Sequence, residues 1–365
     1  MTIYIISFVL NLLVGLLICK DNSQSGNDAA LTVNTRKKIY LLITALQFGL
    51  LCGLRSTKMA YDTSAYKLIF DMCPDSWDHL FDRSSYVEIG FRLLCSVIKI
   101  LGGNYQTMLI VTSLFIMGSC CVFIYRHSKD VILSVFIIIS FPFFYSSFDI
   151  IRHFLATSFF LLGYKYIVER KFFKYTLFIF IGSLFHGISW VFLPFYFAKK
   201  IRWNWKTMTV ATVGTVVIYA YIQPVATWIS DLLGKSSGIN SGWIDSYGGG
   251  IKTVIMYGVI LLIAIMAFYQ LENRTEEDMN AVNYVVLMLV FSIIFTNARM
   301  MTRMIMTMTA LVAIAIPQLL DKPRTKSLRD YLILKIAFIS IGIGYHAFML
   351  WSNWQNVVPY IPYWG

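Results

Sequence analysis

Long apolar stretches, separated by short polar intervals, fill most of this chain. Those at 2–19, 39–54, 105–125, 131–148, 153–168, 207–222, 253–270, 282–297, 304–320 and 331–350 read as membrane spans, since a helix needs about 20 mostly apolar residues to cross a bilayer. A different pattern runs from Glu88 to Lys99, where apolar residues recur at helical spacing with charge on the other side. That segment is too short to cross and predicts an amphipathic helix lying at the interface. The expected fold class is all-α, a polytopic transmembrane helical bundle of about 10–12 spans. It forms a single integral membrane domain over residues 1–365, with outer loops at 55–104 and 223–252.

Composition strengthens this picture. The chain is 58% hydrophobic and 14% charged, against about half apolar and a quarter charged for soluble domains. The net charge of +12 does not point to nucleic acid, because the basic residues fall in small clusters between spans. These are Arg36 to Lys38, Arg126 to Lys129, Arg170 to Lys174, Lys199 to Lys206 and Lys322 to Arg329. Clusters of this kind mark cytoplasmic loops. The stretch from Met1 to Cys19 has no basic residue ahead of its apolar run, so it reads as a retained span with its N-terminus outside and not as a signal peptide.

Residues 175–198 conflict with this topology. Both flanks are basic, yet the stretch is long enough for about one span. A re-entrant hairpin turning near Leu184-Phe-His186-Gly187 resolves the conflict, and broken backbone at membrane depth is tolerated where it lies within protein or lines a wet cavity. Placing one basic loop outside resolves it equally. Five of the six cysteines read as small packing residues. Cys73 lies in the first outer loop, where a disulfide is chemically open to it but no partner is indicated.

The polar interval Leu54 to Glu88 gathers Arg55, Asp62, Thr63, Tyr66, His79 and Glu88. Charge this close to lipid usually marks a substrate site, an ion path or a proton relay. In the predicted topology Arg55, Arg152, Arg299 and Arg303 all fall at outer span ends, against the positive-inside bias. A guanidinium grips phosphate oxygens in bidentate fashion, so the four together suit a pyrophosphate; singly, each can snorkel to headgroups instead. Asp62, Thr63 and Tyr66 fall within one turn and suit sugar hydroxyls, unless Asp62 simply caps the following helix. Glu88 has the same alternative. His186, Glu88 and Asp62 are the candidate general bases, with His186 equally readable as a hydrogen-bonded structural residue. No histidine has metal-ligand spacing, and no metal or other cofactor is expected.

Several of these pieces form a series. Arg55…Tyr61-Asp62-Thr63…Tyr66, Tyr86-Val-Glu88-Ile-Gly90-Phe, Asp149-Ile-Ile-Arg152-His153, Leu184-Phe-His186-Gly187, and Arg299 to Arg303 followed by Pro317 together resemble the EpsG-like branch of Wzy-type polysaccharide polymerases. The family usually has Gly where this chain has Tyr61 and Gln where it has His153. The resemblance implies a bacterial inner-membrane glycosyltransferase that joins undecaprenyl-pyrophosphate-linked repeat units of an O-antigen, capsule or exopolysaccharide on the outer face. It implies a lipid-linked oligosaccharide donor and acceptor, membrane lipids and a chain-length regulator as partners. Pyrophosphate would fall to Arg152, Arg299 and Arg303. The rival classes are a flippase or exporter for lipid-linked glycan, an O-antigen ligase and a membrane acyltransferase.

Overall fold

The computed structural model describes residues 1–19, 27–77, 87–198, 201–232, 250–297 and 299–365. Among them the fold is all-α, with two isolated bridges and no strand. Four helices are long and apolar enough to cross a membrane, namely Tyr105–His127, Ile251–Gln270, Glu276–Ile294 and Leu328–Trp351. Shorter apolar helices accompany them. The chain divides into two compact units, residues 1–196 with 343–365, and residues 197–342.

The first unit holds α1 (Thr2–Ile18), α2 (Asn27–Gly53), α3 (Thr63–Met72), α4 (Ile89–Ile100), α5 (Tyr105–His127), α6 (Val131–Ser140), α7 (Pro142–Ser146), α8 (Ile151–Val168) and α9 (Phe172–Ser183). It ends on a 3-10 turn, Gly187–Phe192, and the start of α10 (Phe195–Ala198). Its core is the α6–α7 segment, where every residue from Leu133 to Ile151 is buried. The 131–148 stretch is not one continuous helix as its hydropathy predicted. It breaks at Phe141-Pro142, where Phe141 is extended and Pro142 starts the next helix. Proline has no amide hydrogen to continue the ladder and disfavours a helical residue before it. Conversely, α2 starts well before residue 39, because Arg and Lys are good helix formers and Arg36 to Lys38 lie within it. Asn11 joins α1 to α2 through Tyr40 Oη at 3.0 Å and Gln47 Oε1 at 2.8 Å, the kind of interhelical polar contact that replaces the hydrophobic drive among lipid-immersed helices.

Residues 172–196 fold back on themselves. Phe172 packs edge-on against Tyr196, Tyr175 Oη donates to the Phe192 carbonyl at 2.5 Å, and Ser189 Oγ donates to the Ile179 carbonyl at 2.8 Å. At the tip the Gly182 carbonyl accepts from the amides of Phe185 and His186, and His186 itself is extended. These pairings are antiparallel, so the stretch is a hairpin with its turn at Leu184 to His186. Gly182 lets the two limbs meet, since a Cβ there would stand 2.6 Å from Ser189 Oγ and 3.0 Å from the Ala156 carbonyl.

The 23 residues of α5 measure the first unit from end to end, about 35 Å at 1.5 Å per residue. At one end Tyr105 Oη donates to the Thr63 carbonyl at 2.8 Å; at the other the Lys38 ammonium lies 5.5 Å over the Tyr125 ring. The second end also carries Arg126, and on α8 and α9 Lys165 and Lys174, both over the ring of Tyr166. The residues after Trp351 return to the first end. Ser56 N donates to the Ile361 carbonyl at 2.8 Å, Tyr363 N to the Leu54 carbonyl at 2.9 Å, and Ala60 N to the Asn356 carbonyl at 3.1 Å.

The second unit contains α11 (Trp205–Leu232), α12 (Gly250–Gln270), α13 (Glu276–Ile294), α14 (Arg299–Leu319) and the first part of α15 (Leu328–Trp351). The predicted outer loop 223–252 begins as helix, because α11 continues through Pro224. Residues 233–249 lie outside the described residues. Asp278 on α13 is fully buried and held by Arg324, Gln318 and Thr275.

Candidate functional site

Glu88 occupies the N-cap position of α4, but its side chain caps nothing. It reaches two other elements instead. Oε2 accepts from Nη1 of Arg152 at the start of α8, and Oε1 lies 3.0 Å from Nδ1 of His186 at the hairpin tip. The three side chains keep 25–28% of their surface exposed. The Arg152 guanidinium lies 5.9 Å over the Tyr66 ring, and its Nε, shielded from solvent, has no hydrogen-bond partner. Tyr66 in turn packs edge-on against Phe91 of α4. Three segments far apart in sequence therefore converge on one partly open cluster.

Close backbone contact fixes this convergence. Gly90 N donates to the Leu184 carbonyl at 2.7 Å, and a Cβ on Gly90 would stand 2.7 Å from that same oxygen. Only a glycine lets α4 approach the hairpin tip this closely. Asp149, buried just before α8, accepts from the Asp62 amide at 2.6 Å. The Asp62 loop is thereby tied to the end of the helix that carries Arg152.

The electrostatics separate the roles. Burial alone raises a carboxyl, but the hydrogen bond from His186 and the Arg152 charge outweigh it, holding Glu88 at about 2. Glu88 is thus ionised across the physiological range and can only accept hydrogen bonds. His186 Nδ1 must then carry the proton between them, which leaves Nε2 as the acceptor of the neutral ring. A carboxylate that orients an imidazole and stabilises its protonated form is a recurring way to build a general base. Burial pushes the Tyr66 phenol up, with the Arg152 charge opposing, so it stays protonated.

The other predicted residues are placed differently. Arg55 is completely buried. Its Nη1 and Nη2 donate to the carbonyls of Cys52 and Phe148, both at 2.6 Å, and it lies 5.4 Å over the Phe148 ring. A guanidinium so enclosed holds loop and helix ends together and presents no face to a phosphate. Asp62 takes the N-cap position of α3 without a side-chain cap. Thr63 is fully buried and offers its carbonyl to Tyr105. Arg303 is half-buried on α14 in the second unit, while the side chain of Arg299 and all of His79 and Tyr86 lie outside the described residues. Asp149, Gly90 and His153 were not among the predicted site residues. His153 is buried, with its ring 5.6 Å from that of His186. A glycine two positions after a candidate acid was the signal available for Gly90.

Comparison with known proteins matches no curated protein and no solved structure. A family model, that of the EpsG family, matches residues 38–363, a range that includes α4, the start of α8, the hairpin and the returning C-terminal segment. On that match over nearly the whole sequence the chain belongs to the EpsG family, a membrane-protein family with a polysaccharide-polymerase type of role.

Proposed function

We propose that this protein joins polyprenyl-pyrophosphate-linked glycan repeat units, the carrier being undecaprenyl, on the outer face of the bacterial cytoplasmic membrane. The observation that carries the proposal is the Glu88–Arg152–His186 cluster, which sits at the end of the first unit opposite the one that gathers Lys38, Arg126, Lys165 and Lys174. Basic loops stay in the cytoplasm, so the cluster faces the exterior, where lipid-linked repeats are displayed.

The chemistry follows from the hydrogen bonds. The acceptor sugar's hydroxyl attacks the anomeric carbon of the donor, and the carbon–oxygen bond to the pyrophosphate breaks. His186 Nε2 takes the hydroxyl proton, and Glu88 stabilises the imidazolium that forms. Arg152 supplies positive charge beside the departing pyrophosphate, where a fixed guanidinium in a poorly solvated site acts most strongly. The donor arrives activated, so no nucleotide enters. Transport of the same cargo would need the arginine but not an oriented imidazole.

The test is purified protein mixed with lipid-linked repeat units and scored for a ladder of products. Ladder formation lost in His186→Ala and Glu88→Gln, with protein folded, is the expected result. Ladders of normal length from both variants would overturn the assignment. A strain carrying either variant should accumulate single repeats on the outer face, whereas a transport defect would trap them inside.

A further inference from the structure

We propose that Cys73 and Cys95 form a disulfide that clamps α3 to α4, the helix whose N-cap is Glu88. The inference rests on the outward orientation given above. Cys73 ends α3 and Cys95 lies in the middle of α4; both are buried and are free thiols in this structure, each hydrogen-bonded to the other. The Lys99 ammonium, one turn beyond Cys95 on α4, donates to the Cys73 carbonyl at 2.5 Å and to the Asp71 carbonyl at 3.2 Å. The two segments are thus held face to face by contacts other than the thiols.

The other four cysteines lie elsewhere. Cys52, Cys120 and Cys121 are within α2 and α5, and Cys19 follows α1 near Arg36 and Lys37 at the basic end. The pair on α3 and α4 stands where, in the outward orientation, the chain meets an oxidising compartment, the setting in which disulfides form and persist; Cys52 shares that end but lies buried against Arg55 and Ser147.

The hydrogen bond from Cys95 lowers the Cys73 thiol below its ordinary value, with burial opposing and Lys99 and Arg92 assisting. The oxidant is an extracytoplasmic protein disulfide, met before α3 and α4 pack together. Cys73 displaces one of its sulfurs to give a mixed disulfide. Cys95 then attacks the Cys73 sulfur, and the oxidant leaves as a dithiol, carrying the two electrons and two protons.

The experiment counts thiols in the full-length protein from cells with an intact extracytoplasmic thiol-oxidation system. The protein is denatured and alkylated with a mass-tagged maleimide, with and without prior reduction. Of the six cysteines, four react without reduction and all six after it; in Cys73→Ser and in Cys95→Ser all remaining thiols react in both conditions. Full reaction of the wild type without reduction would overturn the cross-link. Orientation is read separately, by labelling Lys58→Cys in intact cells with a membrane-impermeant maleimide, since Lys58 is exposed on the loop after α2. Failure of that label removes the outward orientation, whereas the thiol count decides the cross-link.

Discussion

Each unit of this protein contains a carboxylate gripped by an arginine, and the two pairs differ in what is left over. In the second unit Asp278 is fully buried and saturated. It accepts from Arg324 through both Nη atoms, from Gln318 Nε2 at 2.7 Å, from the Thr275 amide at 2.8 Å and from the Thr275 hydroxyl at 3.0 Å. In the first unit Glu88 gives one oxygen to Arg152 and the other to His186, and all three side chains stay partly exposed. A buried ion pair whose lone pairs are all occupied resists change and pins elements together. One that retains an exposed edge and an imidazole whose second nitrogen is not taken by the carboxylate has capacity to take a ligand. The same two residue types build a brace in one place and a candidate site in the other, and satisfaction of hydrogen bonds tells them apart.

That contrast breaks most visibly at His186. His186→Ala should lower polymer formation by about 10²–10⁴-fold, the usual contribution of a positioned general base, with little change in protein level; equal turnover in the purified assay would remove the imidazole from the chemistry. Arg324→Ala is the mirror experiment. It removes the charged partner of the buried Asp278 carboxylate while leaving Gln318 and Thr275, at a cost of about 1.5–3 kcal/mol, read as a lower midpoint of thermal unfolding, while the protein that remains folded keeps its turnover.

Gly90→Ala sharpens the comparison. Its Cβ would meet the backbone of Leu184, so α4 and the hairpin tip must separate, and a shift near 1 Å can reduce turnover by up to about 100-fold. A wild-type rate would show that the Glu88–His186 distance is not critical. The smallest effect concerns pH. Glu88 is depressed from 4.5 to about 2, so its pairing stabilises the folded state fully above the ordinary carboxylate value and is lost as pH falls toward 2. The difference in unfolding midpoint between wild type and Glu88→Gln should be present at pH 5 and shrink as pH falls below the ordinary carboxylate value; a difference at pH 3 as large as at pH 5 would contradict the pairing.

The all-α membrane class was legible because apolar runs of span length leave few other options. So were the helix over 89–100 and the break near His186, the first from its periodicity and the second from a clash between length and flanking charge. What the local pattern did not contain were contacts between distant segments. Glu88 meets Arg152 and His186 across 64 and 98 positions, and nothing near Glu88 distinguishes that partnership from an ordinary helix cap. Arg55 looked like Arg152, a guanidinium at a span end. Only its complete burial, with Nη1 and Nη2 turned onto the carbonyls of Cys52 and Phe148, reveals that it is interior. The split of 131–148 was visible in Pro142 but was masked by an apolar run long enough to span.

The C-terminal segment carries a consequence for biogenesis. Met59 and Ile361 touch through a hydrogen bond spanning 302 positions, beside the loop that leads to Asp62. Because a polypeptide emerges N-terminus first, that loop is made long before the segment that fastens it has been translated. Shaping of this end of the first unit is therefore a late event in folding, and a chain terminated early would carry α1 to α9 but lack the fastener beside the Asp62 loop.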